Sequence, residues 1–328
     1  MRRARIKADG EGFYHVVSRI GGRRFLMDDG EKAILLSLVR AAAAFSGVEL
    51  YTYAMMDNHF HLLLRVPRRE RLSEGELRRR IRALYGESRA TRLFARWAKW
   101  EKAGDPQRAA AAKEQVRARM HDLSQFVKTF KEAYTQDYNR RHGNTGTIWE
   151  GRFKSILLEG SCEALLTVAG YIHLNPVRAK MAADPAKARF TGYGAACAGD
   201  GTARAGLAAL VAHAWRRGTA TWEEAETSCR EVMDGALAKE VPEETQLAVR
   251  TGPETARGAE TPEESRPLYE LLRHRRAGFL HGGILGRTRF LQRMGGLLPP
   301  RKRRRREGVL DRCPVLHLAS ARGVKEVS

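Results

Sequence analysis

The chain has 328 residues with 59 Lys+Arg against 38 Asp+Glu, a formal charge of +21 and a pI near 10.3. Of the cations 46 are Arg and 13 are Lys, an excess beyond solubility charge that points to a polyanionic partner, since the Arg fork grips phosphate oxygens where Lys offers a point charge. No run approaches the roughly 18–20 apolar residues of a membrane helix, the basic start lacks a signal core, and Cys162, Cys197, Cys229 and Cys313 show no CxxC spacing. The expectation is a chain with no membrane contact in a reducing cytoplasm, neither a disulfide scaffold nor a zinc ribbon.

Residues 13 to 19 are rich in β-formers and read as a first strand. Asp28 to Phe45 carries Ile34, Leu35, Leu38 and Val39 at helical spacing, and Gly47 closes that helix. Val48 to Met55 and Phe60 to Val66 read as strands joined at Asp57-Asn58, and Ser73 to Tyr138 is helical and dense in Arg. After a loop at His142 to Gly146, Arg152 to Leu158 reads as a strand and Ser161 to Leu174 as a helix that Asn175-Pro176 stops. Ala205 to Lys239 holds helical patches, 240–266 reads as a linker, and Leu268 to Met294 as a small helical unit before the basic block Arg301 to Arg306. The expected division is 1–200 and 201–328.

Two elements carry chemistry. In Met56-Asp57-Asn58-His59-Phe60-His61-Leu62, strand alternation puts His59 and His61 on one face and Phe60, Leu62, Leu64 and Val66 on the other. Two adjacent imidazoles make two ligands of a cation site, although a bare His-x-His is more often structural. In Gly170-Tyr171-Ile172-His173-Leu174-Asn175-Pro176, Tyr171 and Asn175 are four apart and share a helical face. The Asn175 amide oxygen can supply a third ligand, with Tyr171 over the same ion, while His173 falls on another face. The plain alternative is a core tyrosine followed by an Asn-Pro helix stop.

Taken together these elements resemble a known family. His59-Phe60-His61 resembles the His-hydrophobic-His motif of the HUH endonucleases, and Tyr171-Ile-His-Leu-Asn175-Pro-Val resembles the tyrosine helix of their single-tyrosine branch. The nearest likeness is to the REP-associated tyrosine transposases, supported by Tyr14-His15-Val16-Val17-Ser18-Arg19 and by Gly146-Thr-Ile-Trp-Glu-Gly-Arg-Phe-Lys154. The resemblance spans roughly residues 10 to 195. It departs at Asp57, where the family often has Pro, and in the longer, more charged stretch between Gly86 and Met120.

The resemblance implies an α+β, ferredoxin-like domain with a central antiparallel sheet and packed helices, His59 and His61 on a middle strand, and a mainly helical C-terminal extension. It implies a transposase that nicks and rejoins single-stranded, hairpin-flanked DNA. Tyr171 would be the nucleophile of a 5′-phosphotyrosine intermediate, and His59, His61 and Asn175 would hold Mg²⁺ or Mn²⁺. A homodimer is compatible with this reading. DNA contacts are expected from Arg19, from Arg78, Arg79 and Arg82, and from Arg140, Arg141, Arg152 and Lys154, with Trp149 and Phe153 as platforms for bases. Tyr134 and Tyr138 are rival tyrosines, but with Phe126 and Phe130 they form an i, i+4 ladder typical of packing. The competing functions are a non-cleaving DNA binder of the same fold and a nuclease in which water attacks.

Overall fold

The computed structural model describes residues 6–237, 284–287, 290, 293–294 and 318–320. Among these it is a mixed α+β protein with eight α-helices and six strands, dividing into two compact units. One holds residues 8–50 and 55–153; the other holds Tyr51–Ala54 and the described residues from Lys154 onward. The division falls at Phe153/Lys154 rather than near residue 200, because the Tyr171 helix packs with the helices that follow it.

In the first unit β1 (Gly12–Arg19) pairs antiparallel with β3 (His59–Val66), with Arg19 opposite His59, Val17 opposite His61 and His15 opposite Leu63. Between them lie α1 (Asp29–Ser46) and β2 (Glu49–Met55). Asp28 caps α1 by accepting from the Glu31 N–H, and Gly47 ends it in the left-handed region. The Met56 N–H donates to the His59 carbonyl at 2.8 Å and closes the Asp57-Asn58 turn.

The Arg-rich stretch forms α2 (Glu74–Lys102), α3 (Pro106–Arg117) and α4 (Leu123–His142). Gly86, at φ 74° and ψ 165°, breaks α2 into two helical halves, a conformation open to glycine and costly for other residues. Both halves bury an apolar edge in one cluster, Leu77 and Ile81 from the first, Ala90, Phe94 and Trp97 from the second, with Phe45 of α1 and Ala109 of α3. On the sheet, Phe60 meets Phe130 of α4 at 5.5 Å and Trp149 at 5.7 Å, both edge-on. The face opposite His59 and His61 is therefore core, as strand alternation requires.

In the second unit β4 (Lys154–Leu158) pairs in parallel with β5 (Ile284–Arg287), which pairs antiparallel with β6 (Leu318–Ser320). Ile284–Arg287 is thus a strand where the sequence reading expected a helical unit, since β4 offers these residues a pairing edge. The linker at 240–266 and the basic block at 301–306 lie outside the described residues. The helices are α5 (Cys162–Arg178), α6 (Gly192–Cys197), α7 (Gly201–Ala214) and α8 (Trp222–Leu237), with α5 packed on α7 and α8. No described helix is long and apolar enough to cross a membrane.

Candidate active site: the histidine pair and the tyrosine helix

His59 and His61 stand on one face of β3, their ring centroids 5.0 Å apart and edge-on. His61 is buried, and its Nδ1 lies 2.9 Å from Nε2 of His15, the two rings stacked at 5.2 Å. His15 was not among the residues expected to act. A run of β-formers gives it no role; only the antiparallel register, which sets it two pairs along from the Val17–His61 pair on the same face, brings the rings together.

The Asn58 Oδ1 lies 2.7 Å from His59 Nδ1. An amide oxygen only accepts, so as oriented the bond fixes the proton on Nδ1 and turns Nε2 into the lone-pair end of His59. At His61 one proton is shared along the line between its Nδ1 and His15. Burial pushes His59 down to about 4, aided by the Arg19 cation and opposed by Asp57. Burial, with His15, His59 and Arg19 around it, holds His61 well below the ordinary histidine range. Both rings are neutral near pH 7, the form that binds cations. Among the described residues no cluster of three His, Cys, Asp or Glu has metal-holding geometry.

Tyr171 and Asn175 stand on α5, in the other unit. Ser161 caps the helix, which is buried from Ala164 to Leu174, and Tyr171 is only 6% exposed. The helix does not stop at Asn175-Pro176 but continues to Arg178. Pro176 removes a single N–H in the last turn, and the helix ends soon after. Asn175 is therefore helical and one turn beyond Tyr171, and its Nδ2 is buried with no partner among the described residues. Since the two ends of an amide exchange without altering its shape, Asn175 can offer an oxygen there. A buried amide end lacking a partner fits a cation ligand. His173 is different: its Nε2 is 2.7 Å from Thr52 Oγ1, and burial pushes it down to about 3.

Tyr134 is fully buried and donates its hydroxyl to Glu31 at 2.9 Å; burial first, then the Glu31 carboxylate, pushes the phenol far above its ordinary value. It is a packing residue, as the aromatic ladder implied.

The expected DNA contacts divide. Arg19 is half-buried opposite His59, and Arg152 and Lys154 are exposed. Arg78, Arg79 and Arg82 are ion-paired with Glu74, Glu76 and Glu87, Arg140 with Asp137, and Arg141 with both Glu31 and Asp137. The Trp149 indole is buried against Phe60 and donates to Thr135 Oγ1 at 2.9 Å, and Phe153 is also buried, so neither presents a face to bases. In their place the second half of α2 carries Arg89, Arg92, Arg96 and Lys99, all exposed and none in an ion pair among the described residues.

Residues 11–89 match a transposase family. The family is described as Transposase IS200 like. The IS200-like segment holds β1, α1, β2, β3 and the first half of α2, hence His15, His59 and His61; Tyr171 and Asn175 lie beyond it. No curated protein matches the chain in sequence. A solved structure described as a REP-associated tyrosine transposase bound to a REP hairpin is similar at 12% identity over 61% of this chain and 87% of that one, with a TM-score of 0.40.

Proposed function

We propose that this chain is a metal-dependent, single-tyrosine DNA transposase that nicks and rejoins single-stranded DNA at hairpin-flanked sites. The observation that carries this reading is the pair of neutral imidazoles on one face of β3, within the segment that matches the IS200-like transposases. Tyr171 Oη attacks the phosphorus, the Oη–P bond forms, and the 3′-oxygen of the preceding nucleotide leaves and takes a proton. Return attack by that 3′-hydroxyl reverses the exchange, so the bond energy is conserved and no nucleotide triphosphate is consumed. His59 and His61, with the Asn175 amide oxygen, would hold Mg²⁺ or Mn²⁺. Two nitrogens favour Mn²⁺ over the oxygen-preferring Mg²⁺. When bound, the cation supplies Lewis-acid stabilisation of charge on the phosphate. Asn58 and His15 hold the two rings so that they need not reorganise.

The test is a denaturing gel of labelled single-stranded hairpin DNA, drawn from sequence flanking the gene, incubated with protein and Mn²⁺. The native chain gives a protein-sized shift that survives denaturant, and Tyr171→Phe gives none while still binding DNA. Cleavage without a shift would replace the reading with a hydrolytic nuclease. Binding without any cleavage would leave a DNA-binding protein of the same fold.

A further inference from the structure

Among the described residues the most exposed large apolar side chain is Phe25, at 78%; the next, Met181, is at 39%. A single exposed apolar residue is ordinary, so its surroundings decide what it means. Phe25 lies on the connection from β1 to α1, and that connection is stapled to the turn preceding His59. The Ile20 N–H donates to the Asn58 carbonyl at 2.8 Å and the Met27 N–H to the Asp57 carbonyl at 3.0 Å. Between these ends the Asn58 Nδ2 donates to the Arg23 carbonyl at 3.1 Å. The same Asn58 amide thus holds the His59 ring by its oxygen and the Phe25 loop by its nitrogen. Gly22 and Arg23, just ahead of Phe25, are both left-handed, at φ 65° and 55°, a conformation that costs an L-residue about 1–2 kcal/mol.

The two residues before the ring in the chain are cations. Arg23 and Arg24 are exposed and make no ion pair among the described residues; Arg24 Nε donates only to the Gly21 carbonyl, at 3.3 Å. The neighbouring acids are engaged elsewhere: Asp28 caps α1, while Asp29 and Asp57 pair with Lys32 at 3.3 and 2.7 Å. An exposed aromatic that follows two exposed guanidinium groups in the chain matches a nucleobase with its flanking phosphates.

We propose that Phe25 is a stacking platform for an unpaired DNA base, with Arg23 and Arg24 on the adjoining phosphates. The inference rests on the DNA reading above and names the residue that would grip the single strand, a role for which buried Trp149 and Phe153 are not available.

The experiment measures fluorescence anisotropy of two labelled probes, an oligothymidylate and a blunt duplex of mixed sequence, with the full chain and the variants Phe25→Ala and Phe25→Trp. Because stacking on an aromatic contributes about 1–3 kcal/mol per base, Phe25→Ala should weaken oligothymidylate binding by about 5- to 100-fold and leave duplex binding unchanged. Phe25→Trp should keep the affinity, and its added indole emission should be quenched by oligothymidylate. Unchanged single-strand affinity in Phe25→Ala, or equal loss on both probes, overturns the proposal. Loss of self-association with DNA affinity intact would assign Phe25 to a protein contact and overturn it as well. If the native chain binds neither probe, the DNA reading falls first and this one with it.

Discussion

Asn58 and Glu31 show how single side chains set the chemistry of this protein. Asn58 ties the His59 imidazole to the loop that carries Phe25, so the orientation of the ring and that of the loop are not independent. Glu31, 4% exposed, accepts from Arg141, from Tyr134 at 2.9 Å, and meets His142 Nε2 at 2.8 Å, joining α1 to α4. Burial alone would raise its carboxyl, but the hydrogen bonds from Arg141, His142 and Tyr134 outweigh burial and hold it below the usual range. A depressed folded-state value means the carboxylate stabilises the fold above the unfolded pKa of about 4.3, and that this is lost as pH falls through it. Glu31→Gln should cost about 2–3 kcal/mol at neutral pH, the scale of hydrogen bonds to a charged group. The cost should shrink below about pH 4, as thermal melts of the two proteins across pH would show.

At the scale of elements, the second half of α2 is a basic ridge. Arg89, Arg92, Arg96 and Lys99 are spaced i, i+3, i+7 and i+10 and share one face about 15 Å long. Arg96 and Arg108 lie over the Trp100 ring at 5.5 and 4.6 Å, and Phe94 and Trp97 of the same half-helix are buried. With cations and no open ring, this face suits the phosphates of a duplex stem, in contrast to the Phe25 loop. Neutralising all four to Gln, a good helix former, should leave the fold intact. It should reduce the slope of log affinity against log salt by about 3–4 on a duplex probe, following the 0.9 per phosphate rule. An unchanged slope would remove the ridge from the DNA contact.

For the molecule as a whole, the unit boundary matters. The division expected near residue 200 would end the chain before α7 and α8, whose Leu207, Leu210, Val211, Ala225, Cys229 and Met233 are buried. Since α5 packs on both helices, a chain truncated at residue 200 would expose the apolar flank of the Tyr171 helix. It should be insoluble or lose its cooperative melt, whereas a chain truncated after Leu237 should retain the α5–α8 packing; circular dichroism and solubility separate the two outcomes. A stable, cooperative 1–200 fragment would restore the earlier boundary.

The sequence by itself determined the strands β1 to β4, the end of α1 at Gly47 and the alternation that puts His59 and His61 on one face, because these follow from period, turn chemistry and propensity within a few residues. It also determined that Tyr171 and Asn175 share a helical face, a matter of 3.6 residues per turn. Tertiary structure decided the rest. Register alone brought His15 to His61, and ion pairing decided which arginines of α2 and α4 are committed to acids. Core packing took Trp149 inward and left Phe25 outside. Such outcomes depend on which distant surfaces meet, and burial, register and charge pairing are properties of that meeting rather than of any local stretch of chain.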